Sequence, residues 1–175
     1  FGLAHLVASA VRRGTRTRTG AELDAEVEAL GAELGAGVDE DAASVGLSAP
    51  LEALPRLLAV LADVATRPAF PAREVERLRR REVAALAHDL DEPGVVADRA
   101  TLMAAYGDHP YGHPSEGRGR HLAAVRRADL VAFHARHWRP SRATLLVVGP
   151  VDPEATVALA RRRLGGWRGA AGGEV

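Results

Sequence analysis

Residues 2–15 read Gly2-Leu3-Ala4-His5-Leu6-Val7-Ala8-Ser9-Ala10-Val11-Arg12-Arg13-Gly14-Thr15. Leu3, Leu6, Val7, Ala10 and Val11 recur at helical spacing, which predicts an amphipathic helix. Arg12, Arg13 and Gly14 supply its stop, because cations suit the negative end of a helix and Gly tolerates a left-handed cap. Downstream, Thr19 and Glu22 fit a capping box ahead of the apolar stripe Leu23, Val27 and Leu30, closed by Gly31. Between Ala36 and Ser48 the periodicity changes. Ser44-Val45-Gly46-Leu47-Ser48 alternates, so two short strands are expected around an Asp39-Glu40-Asp41 turn.

Pro50 sits at a plausible first helical position, followed by Leu51, Leu54, Leu57, Leu58, Leu61 and Val64. Pro68 and Pro71 bracket a turn. A further helix is expected over about Arg73 to Leu90, with Val75, Leu78, Val83 and Leu86 inward and Arg77, Arg79, Arg80 and Arg81 largely outward. Helices over about Val95 to Tyr106, 127 to 138 and Pro153 to Leu164 complete the set. The run Ala143-Thr144-Leu145-Leu146-Val147-Val148 has the character of a buried central strand. Many helices with a few separated strands make an α+β layer architecture. The Gly- and Ala-rich end reads as a linker, with residues 168–175 set apart from a domain over 1–167.

The 175 residues suffice for one domain with its own core. Twenty-three basic and 23 acidic residues cancel, so no net field favours nucleic acid or an anionic membrane. Lys, Asn, Gln, Ile and Cys are absent. Without Cys there are no disulfides, thiolate zinc sites or cysteine nucleophiles. No run is long enough for a transmembrane helix and no signal peptide is visible, which favours a cytoplasmic location.

The segment Gly2-Leu3-Ala4-His5-Leu6 … Gly14-Thr15 resembles the part of the M16 metallopeptidases that holds an inverted zinc motif. That family includes insulinase, pitrilysin and the mitochondrial processing peptidase. Further landmarks follow in family order: Leu30-Gly31-Ala32, Leu61-Ala62-Asp63, Pro68-Ala69-Phe70, His109-Pro110-Tyr111-Gly112, Arg127-Ala128-Asp129-Leu130, Gly149-Pro150-Val151-Asp152 and Gly165-Gly166-Trp167. The resemblance implies an N-terminal-type M16 domain, a mostly antiparallel sheet with helices packed on it. It also implies that opening strands normally precede Gly2, and that the abrupt Phe1 marks a fragment.

Active members carry His-x-x-Glu-His on one helix, where two His four apart bind zinc and the Glu polarises its water. A Glu about 76 residues beyond the second His completes the metal shell. Carried over, the motif leaves only His5. Ala8 stands at the general-base position, Ser9 at the second His, Ala85 at the third ligand and Leu78 at a supporting Glu. No catalytic residue, cofactor site or intact metal site is therefore expected; zinc enters only through an unorthodox site. His88 and Asp89 lie about one turn beyond Ala85 and would reach a metal only if that helix shifted by a turn. Their plainer reading is a pair of surface residues near a helix end. The two His of His109-Pro110-Tyr111-Gly112-His113 are separated by Pro and Gly, which suits a structural turn better than a metal site.

Active relatives hold substrate as an added strand at a sheet edge. The matching stretch here is Gly35, Ala36, Gly37 and Val38. The expected function is that of a catalytically inactive M16 domain, the non-catalytic subunit of a heteromeric zinc peptidase. Its partner would be an M16 chain with an intact motif, and its ligand a peptide or unfolded polypeptide. The alternatives are an active zinc metalloendopeptidase with an unorthodox site, and a stand-alone peptide-binding or scaffold protein.

Overall fold

In the computed structural model, which describes residues 2–168, the opening stretch forms helix α1 over Leu3–Val11. Leu6, Val7, Ala10 and Val11 are completely buried, and α1 packs on a β-hairpin and on two later helices. Gly2 enters the helix with φ of 87°, and a Cβ there would collide with the Glu116 carbonyl oxygen. Only Gly meets both demands.

Thr19 caps α2 (Gly20–Ala29) as the capping box requires. Its Oγ1 accepts from the Glu22 N–H at 3.2 Å, and its own N–H donates to Glu22 Oε2 at 2.8 Å. Leu23 and Val27 face the core. Strands β1 (Glu33–Val38) and β2 (Ala43–Ser48) pair antiparallel, with Leu34 opposite Leu47, Gly35 opposite Gly46 and Ala36 opposite Val45. Asp39 Oδ1 closes their turn by accepting from the N–H groups of Asp41 and Ala42. Pro50 does not open a helix. A short 3₁₀ turn over Leu51–Ala53 intervenes and α3 runs Leu54–Thr66, so that Ala53 faces the core while Leu51 stays exposed.

Helix α4 (Ala72–His88) buries Val75, Leu78 and Leu86. Helix α5 (Pro93–Tyr106) buries nothing, and its Val96, Leu102, Met103 and Tyr106 are exposed. A short helix α6 (Gly119–Ala124), which no periodicity announces, seats Leu122 in the core beside α4. Helices α7 (Arg127–His137) and α8 (Pro153–Leu164) follow, α8 capped by Asp152 Oδ1 on the Ala155 N–H. The fold is α+β, helices around a small antiparallel sheet.

The strand expected at Ala143–Val148 is not one. After a 3₁₀ turn at Pro140–Arg142 the segment has no ladder partner, and Leu146 and Val148 are 81% and 86% exposed. An apolar run becomes a buried strand only when another strand satisfies its backbone groups. Among the described residues none lies beside it. Of the linker-like end, residues 169–175 lie outside the described chain.

One polar cluster sits inside this apolar frame. The fully buried Asp63 of α3 accepts from Thr15 Oγ1 (2.6 Å), Thr17 Oγ1 (2.7 Å) and Arg18 Nη1 (2.9 Å) on one oxygen. Its other oxygen faces Arg67 Nη2 at 2.9 Å. Burial by itself pushes the Asp63 carboxyl up. The Thr15 and Thr17 hydrogen bonds, with the Arg67 and Arg18 guanidiniums, outweigh it and hold the group below its ordinary value.

A carboxyl depressed in the folded state stabilises that state above its unfolded pKa. The contribution is therefore complete above pH of about 4 and lost as pH falls below the ordinary aspartate range. Asp63→Ala leaves the buried Thr15 hydroxyl without its acceptor, while Arg18 keeps Glu26 and Arg67 turns to water, and urea unfolding at neutral pH should show a loss of about 2 kcal/mol. That deficit should shrink on acidification, as the wild type loses the same interaction.

Candidate functional site

Helices α1 and α4 pack side by side and carry the positions that the zinc chemistry would use. Ala8 is 1% exposed and Leu78 completely buried, so apolar atoms fill the general-base and supporting-acid positions. Ser9 is half-buried and Ala85 exposed. His5 is half-buried and meets a residue that the motif did not nominate. Its Nε2 lies 3.4 Å from Glu82 Oε2, while Glu82 Oε1 accepts from Arg81 Nη2 at 2.7 Å.

Glu82 stands one helical turn before Ala85 and so on the same side of α4. That offset was the signal available in the sequence, and a reading tied to the motif position passes over it. The spacing has chemical meaning. Zinc–nitrogen and zinc–oxygen bonds near 2.0–2.2 Å place two tetrahedral donors about 3.4 Å apart. His5 and Glu82 are thus spaced as two zinc donors would be, but Ala85 has no donor atom and Ser9 only a hydroxyl. Among the described residues no three His, Asp or Glu groups converge in a way that could hold a metal ion. The residues present do not fit a catalytic zinc.

The other sequence candidates fall elsewhere. His88 is exposed and points its Nε2 toward Glu92 Oε1 at 3.9 Å, and Asp89 pairs with Arg99 at 2.7 Å. Both are engaged locally, where α4 passes into α5. His109 Nδ1 accepts from the Tyr111 N–H in a 3₁₀ turn over Pro110–Gly112, and its ring meets Tyr106 and Tyr111. Tyr111 in turn donates to Asp41 in the β1–β2 turn at 2.8 Å. The Arg77–Arg81 cluster is an ion-pair ladder: Arg77 meets Glu74, Arg79 and Arg80 meet Glu76, and Arg81 meets Glu82. Hydrogen bonds from Arg79 and Arg80 pull the Glu76 carboxyl down to about 2. These cations face carboxylates of their own helix, as a solvated flank does.

Within the described sheet, β1 pairs only with β2, which leaves its outer edge without a strand. Gly35 is exposed, and Ala36, Gly37 and Val38 are half-buried. A Cβ added at Gly35 or Gly37 would meet nothing within 4 Å, so the sheet face above these two glycines is uncovered.

Comparison with known proteins bears on the family and the fold. The family model described as insulinase (peptidase family M16) matches residues 1–118, and that described as peptidase M16 inactive domain matches residues 124–174. An uncharacterized zinc protease of Mycobacterium tuberculosis is 29% identical over 164 residues, 94% of this chain and 37% of that protein. A probable mitochondrial-processing peptidase subunit beta of Schizosaccharomyces pombe is 28% identical over 168 residues, 94% of this chain and 36% of that protein. The chain thus spans little more than a third of the length of these relatives. Among solved structures, a peptidase M16 inactive domain from Pseudomonas fluorescens superposes with a TM-score of 0.89 at 24% identity, over 99% of this chain and 43% of that one. A protease from Helicobacter pylori superposes with a TM-score of 0.92 at 19% identity, over 99% of this chain and 42% of that one. At those identities the likeness is one of fold.

Since His5 and Glu82 already stand at ligand spacing, one further donor should complete a site. Ser9→His places an imidazole one turn from His5 on α1. The variant should retain about one zinc per chain through gel filtration, read by metal analysis, and lose it when Glu82→Gln is added. A variant that retains none would mean that the His5–Glu82 spacing is incidental.

Proposed function

This chain belongs to the M16 peptidase family, and we propose that it is a catalytically silent member that works beside an M16 chain with an intact zinc motif. The observation that carries the reading is the replacement of the chemistry by packing. Ala8 and Leu78, where the family's mechanism needs carboxylates, lie in the hydrophobic interior. A carboxylate at either position would have to be desolvated, and without a metal to pair with it that is costly. Ser9 and Ala85 remove two of three ligands while leaving both helices intact.

What remains is a scaffold with a strand edge. Backbone hydrogen bonding to an added strand needs no particular side chain, so β1 keeps the means to hold an extended polypeptide after the metal is gone. Gly35 and Gly37 contribute no side chains of their own, which reduces selectivity for those of the added strand. In this role the domain supplies chamber wall and substrate contacts, and the catalytic partner supplies zinc and its activated water.

The purified protein, given zinc and an unfolded polypeptide such as casein, should cleave nothing. Mixed with an M16 chain from the same cell that carries His-x-x-Glu-His, it should co-elute with that chain and raise its turnover. Cleavage by the protein alone, abolished by His5→Ala, would overturn the reading in favour of an unorthodox zinc site. Saturable peptide binding with no M16 partner in the native complex would favour a stand-alone scaffold.

A further inference from the structure

A pocket of about 560 Å³ opens between the turn after α3, helix α7 and the Trp167-Arg168 segment, and it shares no residue with the His5–Glu82 pair or with β1. Its volume lies in the range that holds a small organic ligand. Four arginines line it, Arg16, Arg67, Arg127 and Arg168, and among the described residues no Asp or Glu does. One of the four is neutralised, because Arg67 reaches the buried Asp63.

The other three keep their charge. Arg127 spends its donors on neutral carbonyls, Nε on Phe70 O at 2.6 Å and Nη2 on Ala69 O at 3.1 Å. Among the described residues Arg168 reaches the Gly165 carbonyl, at 3.5 Å, and no carboxylate. The exposed Arg16 side chain has no acidic partner among the described residues.

The pocket walls add flat apolar surface. Trp138 and Trp167 are both half-buried at its lining. His134 stacks on Trp138 with ring centroids 5.3 Å apart and meets the buried Phe70 edge-on at 5.7 Å. His134 Nε2 lies 2.9 Å from the Ala65 carbonyl oxygen, which ties this aromatic wall to α3. Guanidiniums favour carboxylate or phosphate oxygens, and indole faces favour planar rings.

We propose that this pocket binds a small planar organic anion, a ring bearing a carboxylate or a phosphate, with its ring on the tryptophans and its charge toward Arg16 and Arg168. The inference does not depend on the domain's role beside a peptidase partner. The chain has only two tryptophans, and both line the pocket, so its intrinsic fluorescence reports binding directly.

The test is a fluorescence titration of the full chain with adenosine monophosphate, with 4-hydroxybenzoate and, as a ringless control, with inorganic phosphate. At least one ring-bearing anion should quench saturably and bind about tenfold or more tighter than inorganic phosphate, the responding arm identifying the charged group. Arg16→Ala combined with Arg168→Ala removes two exposed charges and should weaken that binding about tenfold or more, with the circular dichroism spectrum unchanged. Three results overturn the proposal: no saturable quenching by either ring-bearing anion, binding of inorganic phosphate as tight as theirs, or full affinity in the double variant.

Discussion

The contact on which the rest of the structure leans is the buried carboxylate of Asp63. Thr15, Thr17 and Arg18, in the turn that leaves α1, all donate to one of its oxygens, and Arg67 at the end of α3 faces the other. A buried charge is tolerated only when its lone pairs are occupied. Here one oxygen takes three donors and the other is faced by the Arg67 charge without a hydrogen bond, so the exit of α1 and the end of α3 are held in a single relative position. The isolated bridges of Gly14 with Thr19 and of Thr15 with Pro68 follow from that clamp.

Beyond the clamp the chain makes a second tight adjustment. Phe70 takes φ of 46°, a conformation that costs a bulky residue about 1 kcal/mol or more. It is held there by burial of the ring and by Arg127, whose Nε binds the Phe70 carbonyl. The same arrangement fixes α7 against α3 and leaves the arginine- and tryptophan-lined pocket at their junction. On the opposite end of the argument stands α1, whose buried residues include Ala8. The apolar Ala8 and Leu78 fill the interior where α1 and α4 pack, while Glu82 of α4 meets His5 of α1 nearer the surface.

Much of the fold was legible in order along the chain. The Thr19–Glu22 box, the Asp39 turn and the stripes of α1, α3 and α4 rest on contacts within a few residues, which local spacing records faithfully. The misreadings share one cause. Ala143–Val148 has the composition of a central strand, yet strand formation depends on a partner distant in sequence. Helix α6 has only six residues, too few for a period to emerge, and it owes its place to Leu122 against α4. Pro50 suited a helix start equally well in sequence, and the burial of Ala53 decided for a tighter turn.

For the site the division is similar. The sequence by itself determined which groups stand on α1 and α4, and therefore that Ala8 and Ala85 carry no donor atom and Ser9 only a hydroxyl. Spacing along a helix fixes identity and side, because both are set by covalent connection and a fixed rise per residue. Only the tertiary structure decided what those groups meet: that His5 faces Glu82, that Ala8 and Leu78 are interior, and that Trp138 and Trp167 share a pocket with Arg16. Those pairings join residues from about 30 to 150 positions apart, and their geometry comes from how helices pack rather than from any period within them.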